Sequence, residues 1–244
     1  LTERRWEAQY DPNAPSSKAN SGYVALRYAG RAIAAALDGH ADSLGWDDLQ
    51  DMTRWADGAT RPDWTLGAPH DSSAGTQAGR VRVLSGADGS EIHTLVGFNP
   101  NDQFGFAVAF VGDLNSDGYD DFAIGAPGSD VNGNASGQVR VYNGKTGAAM
   151  VNLNGPTAGE TFGRAIVRIG NVDVAHQKAF AVSSPYADGP AGANVGAVSF
   201  FNGVNNAPYL KVTGTWAGEL LGFSLASVDD GLLAKKYVVA GAPE

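Results

Sequence analysis

Cysteine is absent from the 244 residues of the chain, which excludes disulfide bonds, thiolate metal sites and a cysteine nucleophile. Long apolar runs are also missing, and none approaches the roughly 20 residues that a membrane-spanning helix needs. Basic residues are few, since 17 lysines and arginines stand against 26 acidic residues and leave a net charge of −9. We therefore expect no nucleic-acid binding and no direct membrane insertion.

Common catalytic motifs are missing too. The chain has no G-x-S-x-G, no H-E-x-x-H and no phosphate-binding glycine loop. Acidic loop residues could be combined into a glycosidase-like carboxylate pair in many ways, and that freedom makes any one pair a weak indication. We therefore predict that the chain is not an enzyme.

One short loop carries the strongest chemical signal in the chain. Oxygen-bearing side chains occupy its positions 1, 3, 5 and 9, and Gly118 stands at position 6, where the backbone must turn sharply. Calcium takes six to eight oxygen ligands at short range, and this spacing supplies several from one stretch. The sequence therefore predicts a Ca²⁺ site. Its predicted ligands are four side chains and one backbone carbonyl: Asp113, Asn115, Asp117 and Asp121, with the carbonyl of Tyr119.

The alternative for this loop is a turn rich in Asp and Gly that binds no ion, because these residues favour turns for local reasons. Four oxygen ligands at alternate positions would then repel one another with no cation between them, which favours the metal. An EF-hand needs a glutamate at position 12, but Ile124 stands there within an apolar run. The loop is therefore predicted to join two strands.

The segment around the loop recurs with a period of 58 residues. Three landmarks keep this spacing: Gly-Ala-Pro or its equivalent, a Gly-x-Val-like strand start, and a Phe-Gly or Leu-Gly pair. The prolines of the first landmark are Pro69, Pro127, Pro185 and Pro243. Fixed periods of this length are typical of propellers, solenoids and arrays.

Each unit is predicted to contain four short strands. In the clearest copy they lie at about 104–111, 120–126, 137–142 and 149–153. The first strands are predicted to begin at Phe104, Phe162 and Leu221, with glycines next to them that allow close approach near a central axis. Arg31–Leu37 is helical by propensity alone, but its place in the repeat predicts a strand. The fold class is therefore all-β, a β-propeller of four-stranded antiparallel blades with about four repeats visible.

Together, Phe-Gly, Gly-Asp-Leu-Asn-x-Asp-Gly-x-x-Asp and Gly-Ala-Pro resemble the FG-GAP repeat family, which includes the integrin α propeller and many bacterial surface proteins. The resemblance covers about 22–244 and is sharpest at 104–144, which leaves 1–21 as an N-terminal arm or partial strand. It implies a calcium loop between the first and second strands on one face of the ring. It also implies that partners bind on the opposite face.

The equivalent loops of the other repeats depart from the calcium pattern. Loop 171–179 keeps two candidate ligands, loop 229–237 keeps one beside two lysines, and the first, around Asp57 and Asp63, lacks most of the oxygens. One calcium site is therefore predicted. In the third repeat, substitution of Lys178 is predicted to be nearly silent.

The ends of the chain leave three arrangements open. Strands at 22–37 could complete the blade begun at 221–243, or the chain could belong to a longer array, since Glu7–Pro12 looks like a surplus second strand. Alternatively, neighbouring chains could complete each other's blades. The surplus strand favours an edge that is satisfied outside this chain.

Variable loops are predicted to gather opposite the calcium loop. We call them the loop face; they are 13–21, 70–78, 97–103, 128–136, 154–161, 186–195 and 214–220. Variable loops on a rigid scaffold commonly carry binding functions. Three aromatic residues there are predicted either to anchor a sugar or protein, or to pack between blades: Phe98, Tyr186 and Trp216.

These features predict an extracellular, calcium-stabilised binding or adhesion module that recognises protein or glycan through its loop face. Calcium sites of millimolar affinity would be largely empty in the cytosol, which favours an exterior location. The first alternative is a structural subunit of a cell-surface or filamentous assembly, built by blade complementation between chains. The second is the non-catalytic propeller of a larger secreted enzyme.

Overall fold

A computed structural model describes most of the chain. It covers strands at 23–28, 31–36 and 41–44, and then 63–243 apart from 174, 176 and 231–234. The predicted arm at 1–21 and the first-repeat turn near Asp57 lie outside these residues. Within the described part, no helix is long and apolar enough to span a membrane.

All the regular elements of the described residues are strands. In chain order they are β1 Tyr23–Tyr28, β2 Arg31–Ala36, β3 Ala41–Leu44, β4 Trp64–Ala68, β5 Arg80–Leu84, β6 Glu91–Val96, β7 Ala107–Gly112, β8 Asp121–Ala126, β9 Gln138–Tyr142, β10 Ala149–Asn154, β11 Ile166–Gly170, β12 Ala179–Ser184, β13 Ala197–Asn202, β14 Ala207–Thr213, β15 Ser224–Asp230 and β16 Lys235–Gly241. The prediction of a strand at Arg31–Leu37 is confirmed by β2.

The described residues fall into two compact units. One contains the antiparallel sheet β1-β2-β3, together with Asp63 and the hairpin loop 85–90. The other contains 64–84 and the described residues from 91 onward. It holds the sheets β4-β5-β6, β7-β8-β9-β10 and β11-β12-β13-β14, and the pair β15-β16, each with antiparallel neighbours. Two of these sheets have the predicted four strands in sequence order.

Within the second unit, consecutive sheets meet through their first strands. Strand β7 contacts β11, and β11 contacts β15. The outermost strand of each complete sheet, β10 or β14, is largely exposed, whereas β8 and β12 are buried along their whole length. A sheet whose first strand lies at a crowded inner edge and whose last strand lies at an exposed outer edge has the layout of a propeller blade.

Apolar side chains fill the spaces between these blades. Phe104, Phe122 and Ile124 belong to one buried cluster between the sheets β4-β5-β6 and β7–β10. Phe162 and Phe180 belong to another cluster between β7–β10 and β11–β14. The phenylalanine of each Phe-Gly pair is thus a core residue that joins two blades.

The first strands start later than the Phe-Gly pairs predict. Strand β7 begins at Ala107 and not at Phe104, because Gln103 and Gly105 have φ angles of 56° and 88° and the chain turns there. Likewise, β11 begins at Ile166 and β15 at Ser224. Phe104 instead forms an isolated parallel bridge to Gly79 in the preceding blade.

The glycines do allow close approach between blades. A Cβ atom on Gly125, in Gly-Ala-Pro, would lie 2.0 Å from the carbonyl oxygen of Gly163, in the Phe-Gly pair of the next blade. Gly67 has the same relation to Gly105. The two motifs that define the repeat therefore contact each other across each of these blade boundaries.

Candidate metal centre

Loop 113–121 connects β7, the first strand of its blade, to the buried strand β8. A register shift between Phe110 and Gly112 ends the regular pairing, and Gly112 has a φ of 90°. Leu114 is buried and packs into the cluster between this blade and the next, which anchors the loop from within. The loop is therefore held at both ends and at its apolar residue.

Three of the predicted ligands fix the shape of the loop by accepting hydrogen bonds from its own backbone N–H groups. The Asp113 carboxylate accepts hydrogen bonds from the backbone of Asp117 (3.0 Å) and Gly118 (2.9 Å). Asn115 Oδ1 accepts from Asp117 N–H, and Asp117 Oδ1 accepts from Tyr119 N–H, both at 3.0 Å. These are side-chain-to-backbone turns of the kind that Asp and Asn favour.

Asp121 is the buried member of the predicted set. Its carboxylate has no exposed surface and accepts N–H groups from Leu114 (2.8 Å) and Gly144 (2.9 Å). Burial raises the pKa of this carboxyl, against the opposing effect of those hydrogen bonds. In the first repeat, Asp63 makes the equivalent contact, because its Oδ1 accepts the N–H of Gly86 at 3.1 Å.

Asp117 lies at the centre of the loop and has further donors. Asn143, in the hairpin between β9 and β10, donates from Nδ2 to Asp117 Oδ2 at 2.6 Å, and Asn115 donates to the same oxygen at 3.0 Å. The bond from Asn143 is the main cause that lowers the pKa of Asp117. This carboxylate is therefore held in its charged form.

The donor set matches calcium by chemistry, since it comprises three carboxylates, an amide oxygen and a peptide carbonyl. Among the described residues, however, no three His, Cys, Asp or Glu side chains come close enough together to hold a metal ion. The geometry shows an acidic loop closed on its own N–H groups. Metal binding at these residues therefore stays a prediction.

Three basic side chains surround this loop, and the sequence pattern did not predict them there. Lys178, from the next blade, donates from Nζ to the Ser116 hydroxyl (2.9 Å) and lies 3.3 Å from the Leu114 carbonyl. Arg168 pairs with Asp120 at 2.9 Å, and Lys145 lies 5.1 Å from the centre of the Tyr119 ring. The repeat pattern places Lys178 in the degenerate loop of its own blade. It does not predict that the side chain contacts loop 113–121 of the neighbouring blade.

In the third repeat, the equivalent loop is closed by hydrogen bonds of the same kind. Asn171 Oδ1 accepts the N–H of Lys178 at 2.9 Å, and Asp173 Oδ1 accepts the N–H of Ala175 at 2.8 Å. Both candidate ligands of this loop thus bind backbone. The side chains of the last-repeat loop at 229–235 lie outside the described residues.

Loops of the loop face do gather, and backbone hydrogen bonds join them. Asn101 N–H donates to the Thr76 carbonyl at 2.7 Å, and Gly128 N–H donates to the Asp102 carbonyl at 3.1 Å. Loop 97–103 precedes β7 and the acidic loop follows it, so the two lie at opposite ends of that strand. The three predicted aromatic residues of this face are exposed: Phe98 at 64%, Trp216 at 62% and Tyr186 at 39%.

Acidic residues that brace these loops were missed from sequence. They are Asp102, Glu160 and Glu219, each two residues before the Phe-Gly or Leu-Gly pair. Asp102 and Glu160 are 5% exposed, and Glu219 accepts the backbone N–H of Thr215. Their recurrence at one repeat position was the available signal.

Comparison with known proteins agrees with this geometry. A family model described as the FG-GAP repeat matches residues 104–142, the segment with the acidic loop. Integrin alpha-V of Gallus gallus is 30% identical over 183 residues, which cover 69% of this chain and 17% of that protein. Integrin alpha-6 of Homo sapiens is 32% identical over 167 residues, 66% of this chain and 14% of that protein.

Among solved structures, one titled "Structure of Dos1 propeller" aligns with 76% of this chain and 42% of its own, at 14% identity and a TM-score of 0.39. The integrin alignments span less than a fifth of those proteins, so they compare one region only.

Four-stranded antiparallel blades that pack through repeated Phe-Gly and Gly-Ala-Pro motifs define the fold as a β-propeller. The chain belongs to the FG-GAP repeat family, and its propeller is integrin-alpha-like. The predicted family and fold class are thereby confirmed.

Proposed function

We propose that this chain is an extracellular, adhesion-type binding module in which Ca²⁺ stabilises loop 113–121 and the loop face contacts a protein. One observation carries the proposal: oxygen ligands at alternate positions form a closed acidic loop inside the segment that matches the FG-GAP model. Similarity to integrin alpha subunits favours a protein as the ligand over a glycan or a second copy of the chain. The absence of enzymatic activity stays a prediction.

Calcium would be held by the oxygens of Asp113, Asn115, Asp117 and Asp121 and by the carbonyl of Tyr119. The bound ion would supply positive charge between carboxylates that otherwise repel one another. Asp121 also joins the loop to the Gly144 hairpin turn, so stabilisation of the loop would extend to two connections of the same blade. Binding of the ion to the folded state alone would then stabilise the blade by mass action.

The same chemistry supports an exterior location. Sites with millimolar affinity fill in extracellular fluid and stay largely empty in the cytosol. The net charge of −9 includes the acids of this loop, so the calcium-bound protein would carry less negative charge. We therefore place the proposed function outside the cell.

Thermal unfolding with and without chelator tests the calcium site. Calcium at one hundred times its Kd contributes about 2.7 kcal/mol. For a domain of this size, that free energy raises Tm by about 5–10 °C. Asp117→Ala should remove most of this difference, because it deletes the central carboxylate.

Asp173→Ala in the third-repeat loop is the matched control. Asp173 also accepts a local backbone N–H, at 2.8 Å, but its loop lacks the full ligand pattern. This variant should keep the calcium-dependent rise in Tm. A wild-type Tm that does not change with chelator would contradict the assignment.

A further inference from the structure

The residue that follows Phe-Gly or Leu-Gly changes from aromatic to basic in the middle one of three consecutive repeats. It is phenylalanine in the flanking copies, Phe106 and Phe223, and arginine in the central copy, Arg164. The Arg164 guanidinium lies 4.7 Å from the centre of the Phe106 ring and 4.1 Å from that of Phe223. Side chains from three adjacent blades thus form one stack at the loop-face end of the first strands.

Stacking uses the faces of a guanidinium and leaves its edge free for hydrogen bonds in its plane. Arg164 makes no ion pair and no hydrogen bond among the described residues, and its Nε is buried without an acceptor. Arg140 stacks similarly, on Phe98 at 4.0 Å, but its Nε donates to Gln138. Arg164 is therefore a positioned donor group that lacks an acceptor.

Arg164 lines a cleft of about 370 Å³ within the loop face. Two proline rings, a tyrosine and an asparagine form much of the remaining wall: Pro100, Pro127, Tyr186 and Asn134. A cleft of this size is within the range of small binding sites, and its mixed lining of polar side chains and proline rings suits a polar ligand.

Asp130 lines the same cleft and forms no ion pair with Arg164. Its Oδ1 accepts the N–H of Ala135 at 2.7 Å, which leaves Oδ2 available for another donor. The cleft therefore offers one group that needs an anion and one that accepts an N–H. An acidic peptide carries both complements, whereas a simple anion supplies no N–H for Asp130.

We propose that Arg164 binds the carboxylate of an acidic side chain in an exposed segment of a protein partner, while Asp130 accepts a backbone N–H of the same segment. A planar guanidinium binds a carboxylate through two parallel hydrogen bonds, and stacking between two rings fixes its orientation in advance. This inference rests on the proposed function, since it assigns the ligand group that the loop face recognises.

Nuclear magnetic resonance on protein with ¹⁵N-labelled arginine tests it. The probes are the blocked peptide Ac-Ala-Ala-Glu-Ala-Ala-NH2 and its glutamine counterpart, each titrated to tens of millimolar. The Arg164 Nε–H resonance should shift saturably with the glutamate peptide, and the glutamine peptide should bind at least fivefold more weakly. Equal shifts with both peptides, or none with either, overturn the proposal.

Variants separate this site from general surface charge. On uniformly ¹⁵N-labelled protein, with the Ala135 amide as the readout, Arg164→Gln should abolish the preference for glutamate. Arg164→Lys should weaken that preference, because lysine keeps the charge but lacks the planar pair of donors. Arg140→Gln, at the partnered arginine, should leave binding unchanged. A preference that survives Arg164→Gln, or one lost in Arg140→Gln, overturns the assignment to Arg164.

Sodium glucuronate distinguishes the source of the carboxylate. A shift at Arg164 with glucuronate as strong as that with the glutamate peptide overturns a protein source in favour of a sugar acid. Measuring Tm with calcium and with chelator on the same samples keeps the two proposals apart. Absent peptide binding with intact calcium stabilisation removes only this inference, whereas peptide binding without calcium stabilisation removes only the calcium site.

Discussion

Three glycine-to-alanine substitutions can separate backbone strain from steric contact in this repeat. Gly159, on the loop face, has a φ of +84°, and an added methyl group there would meet open space, with no atom within 4 Å. Gly125 lies outside the positive-φ region, but a Cβ there would stand 2.0 Å from the Gly163 carbonyl oxygen. Gly163 combines both problems, since its φ is +93° and a Cβ would meet the Gln138 carbonyl oxygen at 2.8 Å.

The expected costs follow from these two terms. Holding alanine in a left-handed conformation costs about 1–2 kcal/mol. Overpacking a close contact costs about 1–3 kcal/mol. Alanine also recovers about 0.4–1 kcal/mol by restricting the unfolded chain. We therefore expect Gly159→Ala to lose roughly 1 kcal/mol. Gly125→Ala should lose roughly 2 kcal/mol, because its 2.0 Å approach lies at the upper end of the overpacking range, and Gly163→Ala, which carries both terms, should lose roughly 3 kcal/mol.

Urea unfolding, followed by tryptophan fluorescence and circular dichroism, measures these differences. Total stabilities of about 5–15 kcal/mol leave all three variants folded in water, so their midpoints can be compared at equal slope. Gly163→Val should be worse than Gly163→Ala, because a β-branched side chain adds bulk at the same contact. If Gly159→Ala costs as much as the other two, the close approach between Gly-Ala-Pro and Phe-Gly contributes nothing, and the reasoning fails.

Two further predictions concern charged groups. In the presence of chelator, Lys178→Met should lower the free energy of unfolding by at most about 1 kcal/mol, because it removes an exposed contact to loop 113–121. The same variant should bind calcium more tightly, because it removes a nearby positive charge. A calcium affinity that is equal to or weaker than that of the wild type, measured by calorimetry, would contradict this. Burial raises the pKa of Asp102, so the folded state binds the proton more tightly than the unfolded state does. As pH rises from about 4 through that raised pKa, the stability of the wild type should therefore fall relative to that of Asp102→Asn. Parallel pH curves for the two proteins in urea unfolding would refute the second prediction.

Features confined to one repeat could be predicted well from sequence. Strands β8, β9 and β10 lie within one residue of their predicted bounds, because alternating apolar residues and Asn-Gly or Gly-Ala-Pro turns are local signals. The acidic loop also lies where its spacing places it, between β7 and β8. Repetition strengthened these predictions, since each landmark could be checked against copies 58 residues away.

Features that depend on two blades could not be predicted in the same way. The predicted start of β7 is three residues early, because Phe104 bridges to Gly79 of the preceding blade and does not extend its own strand. Lys178 and Arg164 act across blade boundaries through long side chains, whose reach depends on the spacing and twist of neighbouring sheets. A repeat pattern gives the order of blades, but it does not specify which side chains meet between them.

The repeat therefore divides its positions into two kinds. Glycines at the Gly-Ala-Pro and Phe-Gly contacts recur because each boundary between blades needs the same close approach, as at Gly125 and Gly163. Positions that face the ends of the blades carry different chemistry in each copy, such as phenylalanine or arginine beside Phe-Gly. Because the two kinds are neighbours along the chain, as Gly163 and Arg164 are, a ligand-binding side chain such as Arg164 is held next to a rigid core without contributing to it. Substitutions of the contact glycines should change stability, and substitutions of residues at the blade ends should change binding. The glycine variants and the Arg164 variants therefore test this division of positions independently.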